Sequence, residues 1–316
     1  MEDRRYALVR HIFKILTRDG FRVSNPDLGG LVSFDLIAKR ERMKFIIKVL
    51  QNIDTFRGSN AEEMIRISKL TYSAPLVIGE KAGSGPLERN VVYYRHHIPI
   101  LSPESFSDYI EGDRPCISSG PGGFYVSMDV DLLHRRREEL GFSIGYLSNK
   151  IGTSRRSISL YESGGAVTID VFLKLEKILN RDISRAIDLL EIATRLEMPV
   201  EDSSVENEFL KEVISIMMNQ GFDFHTIKKS PFDAIARESM EESFLIGLLE
   251  SLSEKIERIS AMKNISQIFE NEAFIISHSS TEKEAIGGCP VVNLSELRNI
   301  GEVERLQRLI EKRKIA

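Results

Sequence analysis

Two segments of this 316-residue chain repeat the same order of motifs. Three stretches recur, and the matching pairs are Leu8–Phe21 with Leu210–Phe222, Ser33–Ala38 with Pro231–Ala236, and Phe45–Leu50 with Phe244–Leu249. An internal repeat restricts the fold strongly, because each copy must build the same elements from a different sequence. We therefore predict two copies of one domain, at residues 1–112 and 204–316, with an unrelated domain between them.

The pattern within the first copy predicts alternating helices and strands. Leu8, Ile12, Ile15 and Leu16 recur at helical spacing, which predicts a helix over residues 3–18. The elements expected after it are a strand beginning at Phe21–Val23, a turn at Gly29–Gly30, extended runs at 33–38 and 44–50, a helix near 59–71, a buried strand at 75–79, strands at 91–94 and 98–101, and a closing helix at 103–110. This order predicts an open α/β or α+β layer fold.

The order helix, three strands, helix, strand is similar to the restriction-endonuclease-like fold of archaeal Holliday-junction resolvases. In that family an Asp and a later (Asp/Glu)-x-Lys hold a divalent metal, because Mg²⁺ takes oxygen ligands and the Lys offsets charge on the phosphate. Asp35 and Lys48 match two of these positions, but Ile46 stands at the expected carboxylate and Gly247 at the Lys of the second copy. The resemblance therefore implies a nuclease fold with no complete catalytic or metal site. A metal-dependent, structure-selective nuclease using Asp35 and Lys48 is the alternative.

Both residues also have a purely structural interpretation. Asp35 would cap a neighbouring turn, and Lys48 would extend from an edge strand to solvent.

A glycine-rich connector at 113–129 follows the first copy. Its segment Ser118–Gly123 has a permissive backbone, but it lacks the Gly-Lys-Ser/Thr ending of a phosphate-binding loop and leads into an apparent strand. We interpret it as a turn or small hairpin and expect no nucleotide cofactor.

The stretch 143–164 contains two short amphipathic segments separated by a turn. Ile144, Leu147 and Ile151 lie on one side of the first segment, and Ile158 and Tyr161 on one side of the second. Gly152-Thr153-Ser154 between them supplies a turn and a helix N-cap. Together with their neighbours, the segments predict helices at about 131–140, 143–151, 154–162 and 168–179, and a further helical piece at 183–195.

The stretch resembles the helix-turn-helix of lambda repressor and Cro. The resemblance places Arg155 and Arg156 at the base-contacting start of the recognition helix and Ser159 and Leu160 one turn later. It assigns phosphate contact or helix capping to Thr153 and Ser154, and a phosphate contact to Lys150. Arg favours guanine, because its fork pairs with O6 and N7. The alternative for the two arginines is a solvated helix face. Ile144 stands where the family often has a Gln that supports a phosphate contact.

Charge and cysteine content limit the remaining possibilities. The chain has a net charge of −4, and residues 129–190 are nearly neutral, so any contact with nucleic acid must be confined to a patch. We expect ordinary solvation of Arg135–Arg137. Cys116 and Cys289 are far apart and fit no metal spacing, and free thiols in a reducing cytoplasm are expected. No apolar run approaches the ~20 residues that would span a bilayer.

The full-length pattern resembles a family of archaeal helix-turn-helix transcriptional regulators. It joins Phe-Asp-x-Ile-Ala, Gly-Pro-Gly-Gly-Phe-Tyr-Val and the helix-turn-helix. The expected fold is a multi-domain α+β protein, with an all-α helix-turn-helix domain at 130–200 between two related restriction-endonuclease-like α/β domains. The expected function is sequence-specific binding of double-stranded DNA by a cytoplasmic homodimer with a recognition helix at 154–162, without a cofactor and without catalysis. A non-catalytic DNA-repair or architectural protein is a further alternative.

Overall fold

The computed structural model describes residues 4–26, 32–83, 85–200, 207–238, 243–250, 256–279, 281, 283–301 and 303–314. The helices are α1 Arg4–Arg18, α2 Gly58–Thr71, α3 Pro103–Glu111, α4 Val130–Glu139, α5 Ile144–Ile151, α6 Arg155–Tyr161, α7 Ile169–Leu179, α8 Leu189–Arg195, α9 Glu208–Asn219, α10 Ile256–Phe269, α11 Leu294–Asn299 and α12 Val303–Lys314, with a 3₁₀ turn at Ile53–Thr55. The strands are β1 Arg22–Val23, β2 Leu36–Arg40, β3 Met43–Asn52, β4 Ala74–Ala82, β5 Gly85–Pro86, β6 Val91–Arg95, β7 Ile98–Leu101, β8 Ile117–Gly120, β9 Gly123–Val126, β10 Val167–Thr168, β11 Asp223–Thr226, β12 Ala234–Arg237, β13 Ser243–Leu249, β14 Glu272–Ser277, β15 Ala285–Ile286 and β16 Cys289–Asn293. Across these ranges no helix is long and apolar enough to cross a membrane.

The chain divides into two compact units. The first contains Met1–Gln51, Thr55–Val77 and Leu190–Ala316, and the second contains Asn52–Asp54 and Ile78–Leu189. The turn predicted at Gly29–Gly30 lies outside the described residues.

The first unit contains the repeated elements of both copies, whereas residues 78–112, which we predicted to belong to the first copy, fall in the second unit. In each copy a helix precedes the sheet and packs on its first strand, α1 on β1 and α9 on β11. Strands β1, β2, β3 and β4 are neighbours in that order, and so are β11, β12, β13 and β14. The repeated Phe-Asp motif makes the same bonds in both copies. Asp35 N–H donates to Ile47 O at 2.8 Å and Asp233 N–H to Ile246 O at 2.8 Å. The repeat in the sequence is therefore a repeat of the fold.

The two copies pack on each other reciprocally within the first unit. Helix α10 of the second copy packs against β2 of the first, and α2 of the first packs against β12 of the second. The contact also contains ionic and polar bonds. Glu270 pairs with Arg22 and Lys39, and the buried Glu63 carboxylate accepts the N–H of Lys228 at 2.9 Å. Each copy therefore covers part of the other.

The charged sequence at 302–314 predicts an exposed helix end, and the structure differs from this prediction. Helix α12 does form, but Leu306 and Ile310 are buried in the core of the second copy. Most residues of α12 are charged, so the apolar pair Leu306 and Ile310, which are one helical turn apart, is not obvious in the sequence. This pair holds the short helix against the sheet.

The second unit combines a small sheet with the helices α4–α7. Strands β7, β6, β8, β9 and β10 are neighbours in that order. The glycine-rich connector forms the antiparallel hairpin β8–β9, whose turn uses the left-handed conformations of Gly122 and Gly123. Residues from β9, β10 and the four helices share one core, which consists of Val126, Met128, Leu133, Leu147, Ile151, Ile158, Val167, Phe172, Leu175, Leu179 and Ile183. The helix bundle is therefore completed by two strands. Three further apolar residues, Leu132, Leu140 and Tyr161, pack at its edge and are only partly buried.

The helical piece predicted at 183–195 begins later, at Leu189. Residues 183–187 are extended because the backbone of the connector takes their hydrogen bonds. Asp129 N–H donates to Ile183 O at 2.9 Å, and Arg185 N–H donates to Ser127 O at 2.9 Å. Tertiary pairing therefore replaces the helix that the local sequence favours.

Candidate nucleic-acid interface

Serine caps define the two central helices of the second unit. Ser143 caps α5 by accepting the Tyr146 N–H at 3.0 Å, and Ser154 caps α6 by accepting the Ser157 N–H at 3.0 Å. Helix α5 ends at Gly152, whose φ of 74° is a left-handed conformation that glycine adopts without strain. The bounds of α4, α5, α6 and α7 agree with the predicted helices to within one residue at each end. The turn predicted from Gly-Thr-Ser is therefore present.

A buried ion pair holds α6 against α4. The Arg137 Nε donates to Glu162 Oε1 at 2.5 Å, its Nη1 donates to Phe142 O at 2.9 Å, and His134 Nδ1 lies 3.3 Å from Glu162 Oε2. The two charged side chains are only 9% and 10% exposed. Burial alone would raise the pKa of the Glu162 carboxyl, but the hydrogen bonds from Arg137 and His134 outweigh it and lower that pKa.

The expectation that Arg135–Arg137 are ordinarily solvated is wrong for two of the three. Arg137 is buried in the ion pair, and Arg136 donates from Nε to Leu179 O at 3.0 Å. The partner, Glu162, directly follows α6 and is 25 residues from Arg137 along the chain, so the local sequence did not indicate the pairing. The small number of apolar residues in α4 was the one sign of the ion pair in the sequence, because such a helix needs polar contacts to hold it against its neighbours.

The residues predicted to contact DNA lie at the end of α5, in the turn and on α6. Helical geometry places Arg155, Arg156, Ser159 and Leu160 on one continuous arc of α6, while Ile158 faces the core. All four side chains are exposed, and Leu160 is 56% exposed although it is apolar. Among the described residues, neither arginine has a carboxylate within 4.0 Å, the limit for a salt bridge. This arc therefore carries two guanidinium groups without an internal acidic partner.

The remaining predicted residues are close along the chain but have different surroundings. Lys150 is exposed, and its ammonium lies 5.5 Å from the centre of the Tyr146 ring. Thr153 is half-buried in the turn, and Ser154 uses its hydroxyl as the α6 cap. Tyr146 is 44% exposed and was not singled out from the sequence. Its aromatic character alone did not distinguish it from a core residue.

In the first copy, the carboxylate that matches the nuclease metal site is paired with cationic side chains. The Asp35 carboxylate pairs with the Arg5 guanidinium, lies 3.3 Å from Lys48 Nζ, and accepts the Val49 N–H at 2.7 Å. Lys48 is 7% exposed and also donates to Val32 O at 3.1 Å, so the interpretation as a side chain reaching solvent is wrong. Burial lowers the pKa of Lys48, and the neighbouring Asp35 opposes that shift.

The second copy keeps part of this arrangement. Asp233 accepts the Leu248 N–H at 2.7 Å and the Arg258 guanidinium at 2.5 Å. Gly247 replaces the lysine, and the space beside it contains Met262. Within the described ranges, no three His, Cys, Asp or Glu side chains are grouped as metal ligands would be.

Comparison with known proteins identifies both modules. Residues 5–115 match the PD-(D/E)XK superfamily domain, and residues 133–185 match the helix-turn-helix family. The chain is thus a helix-turn-helix protein that also carries a nuclease-like domain.

The match to archaeal proteins extends over nearly the whole chain. It is 46% identical to a Picrophilus torridus protein named "Putative HTH-type transcriptional regulatory protein", across 98% of both chains. A Thermoplasma volcanium protein with the same description is 44% identical across 99% of both chains. One from Methanocaldococcus jannaschii is 33% identical across 96% of this chain and 95% of its own length. The chain belongs to this family of archaeal HTH-type transcriptional regulatory proteins.

Proposed function

We propose that this protein is a sequence-specific DNA-binding transcriptional regulator that inserts α6 into the major groove. The observation that carries the proposal is the exposed arc of α6, with Arg155 and Arg156 at its start and no acidic partner for either among the described residues. A guanidinium without an internal partner can pair with the O6 and N7 acceptors of guanine. The membership of the regulator family supports the same function, and chromosomal DNA in the cytoplasm would be the partner.

We further propose that two chains of the protein bind DNA together as a homodimer. The helix-turn-helix region carries almost as many acidic as basic residues, so the region of a single chain attracts DNA only weakly through its overall charge. Two recognition helices about 34 Å apart would contact successive major grooves, which predicts a palindromic binding site.

A metal-dependent nuclease is the competing function, because the chain contains a PD-(D/E)XK domain. The ionic contacts of Asp35 argue against it. A divalent metal would have to displace two cationic side chains from a carboxylate that is 6% exposed, and Ile46 offers no second oxygen ligand. We propose that the domain serves as a scaffold without catalysis.

The proposed function can be tested by selecting bound sequences from a random pool of duplex DNA with the full chain. The unaltered protein should enrich a palindromic sequence. Arg155→Ala plus Arg156→Ala should remove the enrichment, since each bidentate Arg–guanine contact contributes roughly 1–3 kcal/mol of discrimination.

The matched control is Arg135→Ala plus Lys177→Ala. It removes the same charge from exposed positions of α4 and α7, so it should retain the selected sequence. Unchanged selectivity in the Arg155/Arg156 variant would refute the assignment of α6. Magnesium-dependent cleavage that disappears in Asp35→Ala would instead establish the nuclease.

A further inference from the structure

Gly145 in α5 lies directly beneath the guanidinium of Arg155 in α6. A Cβ built at Gly145 would lie 2.9 Å from Arg155 Nε, 3.0 Å from Nη2 and 3.1 Å from Cζ. Distances below 3.0 Å are essentially never seen for a real Cβ, so any side chain at this position would move the arginine. All three nearest atoms belong to the guanidinium and none to the aliphatic stem. The charged end of Arg155 therefore rests against the backbone of the neighbouring helix.

Glycine is an unfavourable choice for this position. Gly145 is the second residue of α5, and glycine destabilises a helix relative to alanine because it loses the most backbone freedom on folding. Its φ is not in the left-handed range that would require glycine. The missing side chain thus has a local consequence, which is the space that the Arg155 guanidinium occupies.

The guanidinium is oriented without an ionic partner. In the described part of the chain, no carboxylate lies within salt-bridge distance of Arg155, so its contact with α5 is not an acidic pairing that DNA would have to break. Ser154, the residue before it, is fixed as the cap of α6. The start of the side chain therefore follows directly from the capped residue, and its charged end packs against the α5 backbone at Gly145.

We infer that Gly145 is a positioning residue for base recognition, which holds Arg155 in one orientation before DNA binds. This inference rests on the proposed function and adds a specificity determinant that is not on the recognition helix. An arginine already directed along the interface loses less rotamer freedom on binding than a freely moving one. It also reaches the guanine edge at a fixed register, so a displaced guanidinium should lose selectivity more than affinity.

The test is a double-mutant cycle on the full chain with Gly145→Ala and Arg155→Ala. For each protein, affinity is measured for the selected DNA and for the same duplex with its arginine-contacted guanine changed to adenine. Gly145→Ala should lower the ratio of these affinities by about fivefold or more, near the lower limit for one bidentate contact. In the Arg155→Ala background the same substitution should change the ratio less than about twofold, because no guanidinium remains for the new side chain to displace. Gly145→Ser, which adds a different small side chain, should give the same pattern.

A second measurement detects the contact without DNA. The Arg155 Nε–H resonance is assigned by its absence from the Arg155→Ala protein, and it should shift in Gly145→Ala. A ratio that falls equally in both backgrounds, or in neither, overturns the role of Gly145. If the unaltered protein shows no sequence preference, the proposed function fails and this inference fails with it. Intact preference in Gly145→Ala overturns the inference alone.

Discussion

The buried Arg137–Glu162 pair predicts a large loss of local stability when one partner is neutralised. Glu162→Gln keeps the shape of the side chain but removes the main counter-charge of the Arg137 guanidinium, whose side chain is 9% exposed, and leaves only the exposed Glu138 carboxylate at 3.8 Å. Removing one partner of a buried pair costs about 3–5 kcal/mol, because the remaining charge stays desolvated. The lower end applies here, since Arg137 keeps its hydrogen bond to Phe142 O. The opening free energy of α6 should therefore fall by about 3 kcal/mol.

Native-state hydrogen exchange is the appropriate assay, because it resolves local opening within a chain of several domains. A loss of about 3 kcal/mol corresponds to exchange of the α6 amides that is roughly a hundredfold faster. The control is Glu139→Gln, which breaks the exposed pair with Arg136 and should cost no more than about 1 kcal/mol. If the two variants exchange at rates within a few-fold of each other, the ion pair does not hold α6 in place.

Three further predictions concern other parts of the chain. The pKa of Glu162 lies below its ordinary value of 4.5, so the stability that its ionised form contributes is complete above about pH 4.5 and is lost as the pH falls through the lower pKa of the folded protein. Acid should therefore speed hydrogen exchange of the α6 amides more in the unaltered protein than in Glu162→Gln. Equal acceleration in the two proteins would contradict this. Asp35→Asn should destabilise the first unit by about 3 kcal/mol in urea unfolding, since it leaves the buried Lys48 without its anion, and a change under about 1 kcal/mol would show that the pair is not needed. Leu306→Ala should lower the unfolding midpoint by an amount equivalent to about 2–5 kcal/mol because its side chain is 0% exposed, whereas Leu160→Ala, at an exposed site, should leave the midpoint nearly unchanged; equal effects would place α12 outside the core.

The elements that sequence patterns predict well are those defined by local bonds. The repeat was visible because the Asp35 and Asp233 motifs each close a hydrogen-bonded turn onto the next strand, and this requires the same residue types in the same order. The helix-turn-helix was visible because its caps lie directly before the residues they bind.

Features that depend on distant partners could not be predicted. In the sequence Arg137 could not be distinguished from the exposed Arg135, since Glu162 is far along the chain. The reciprocal packing of α2 and α10 on the other copy's sheet cannot be predicted from the local sequence, because a helix has an apolar face whichever sheet it packs against. The space at Gly145 was missed for the same reason, as only the folded α5–α6 geometry brings it to Arg155.

The reciprocal packing of the two copies gives this chain the contact of a dimer without its symmetry. In a homodimer every substitution at the interface occurs on both sides, so an anion on one subunit is repeated on the other. Here the left-handed residue after α10 is Glu270, which pairs with Arg22 and Lys39, while the corresponding residue after α2 is the exposed Tyr72. Because the copies are joined in one polypeptide, a position can carry a charge in one copy while its counterpart in the other copy stays uncharged. Such a chain can therefore diverge along two courses at once without losing the interface that keeps its halves together.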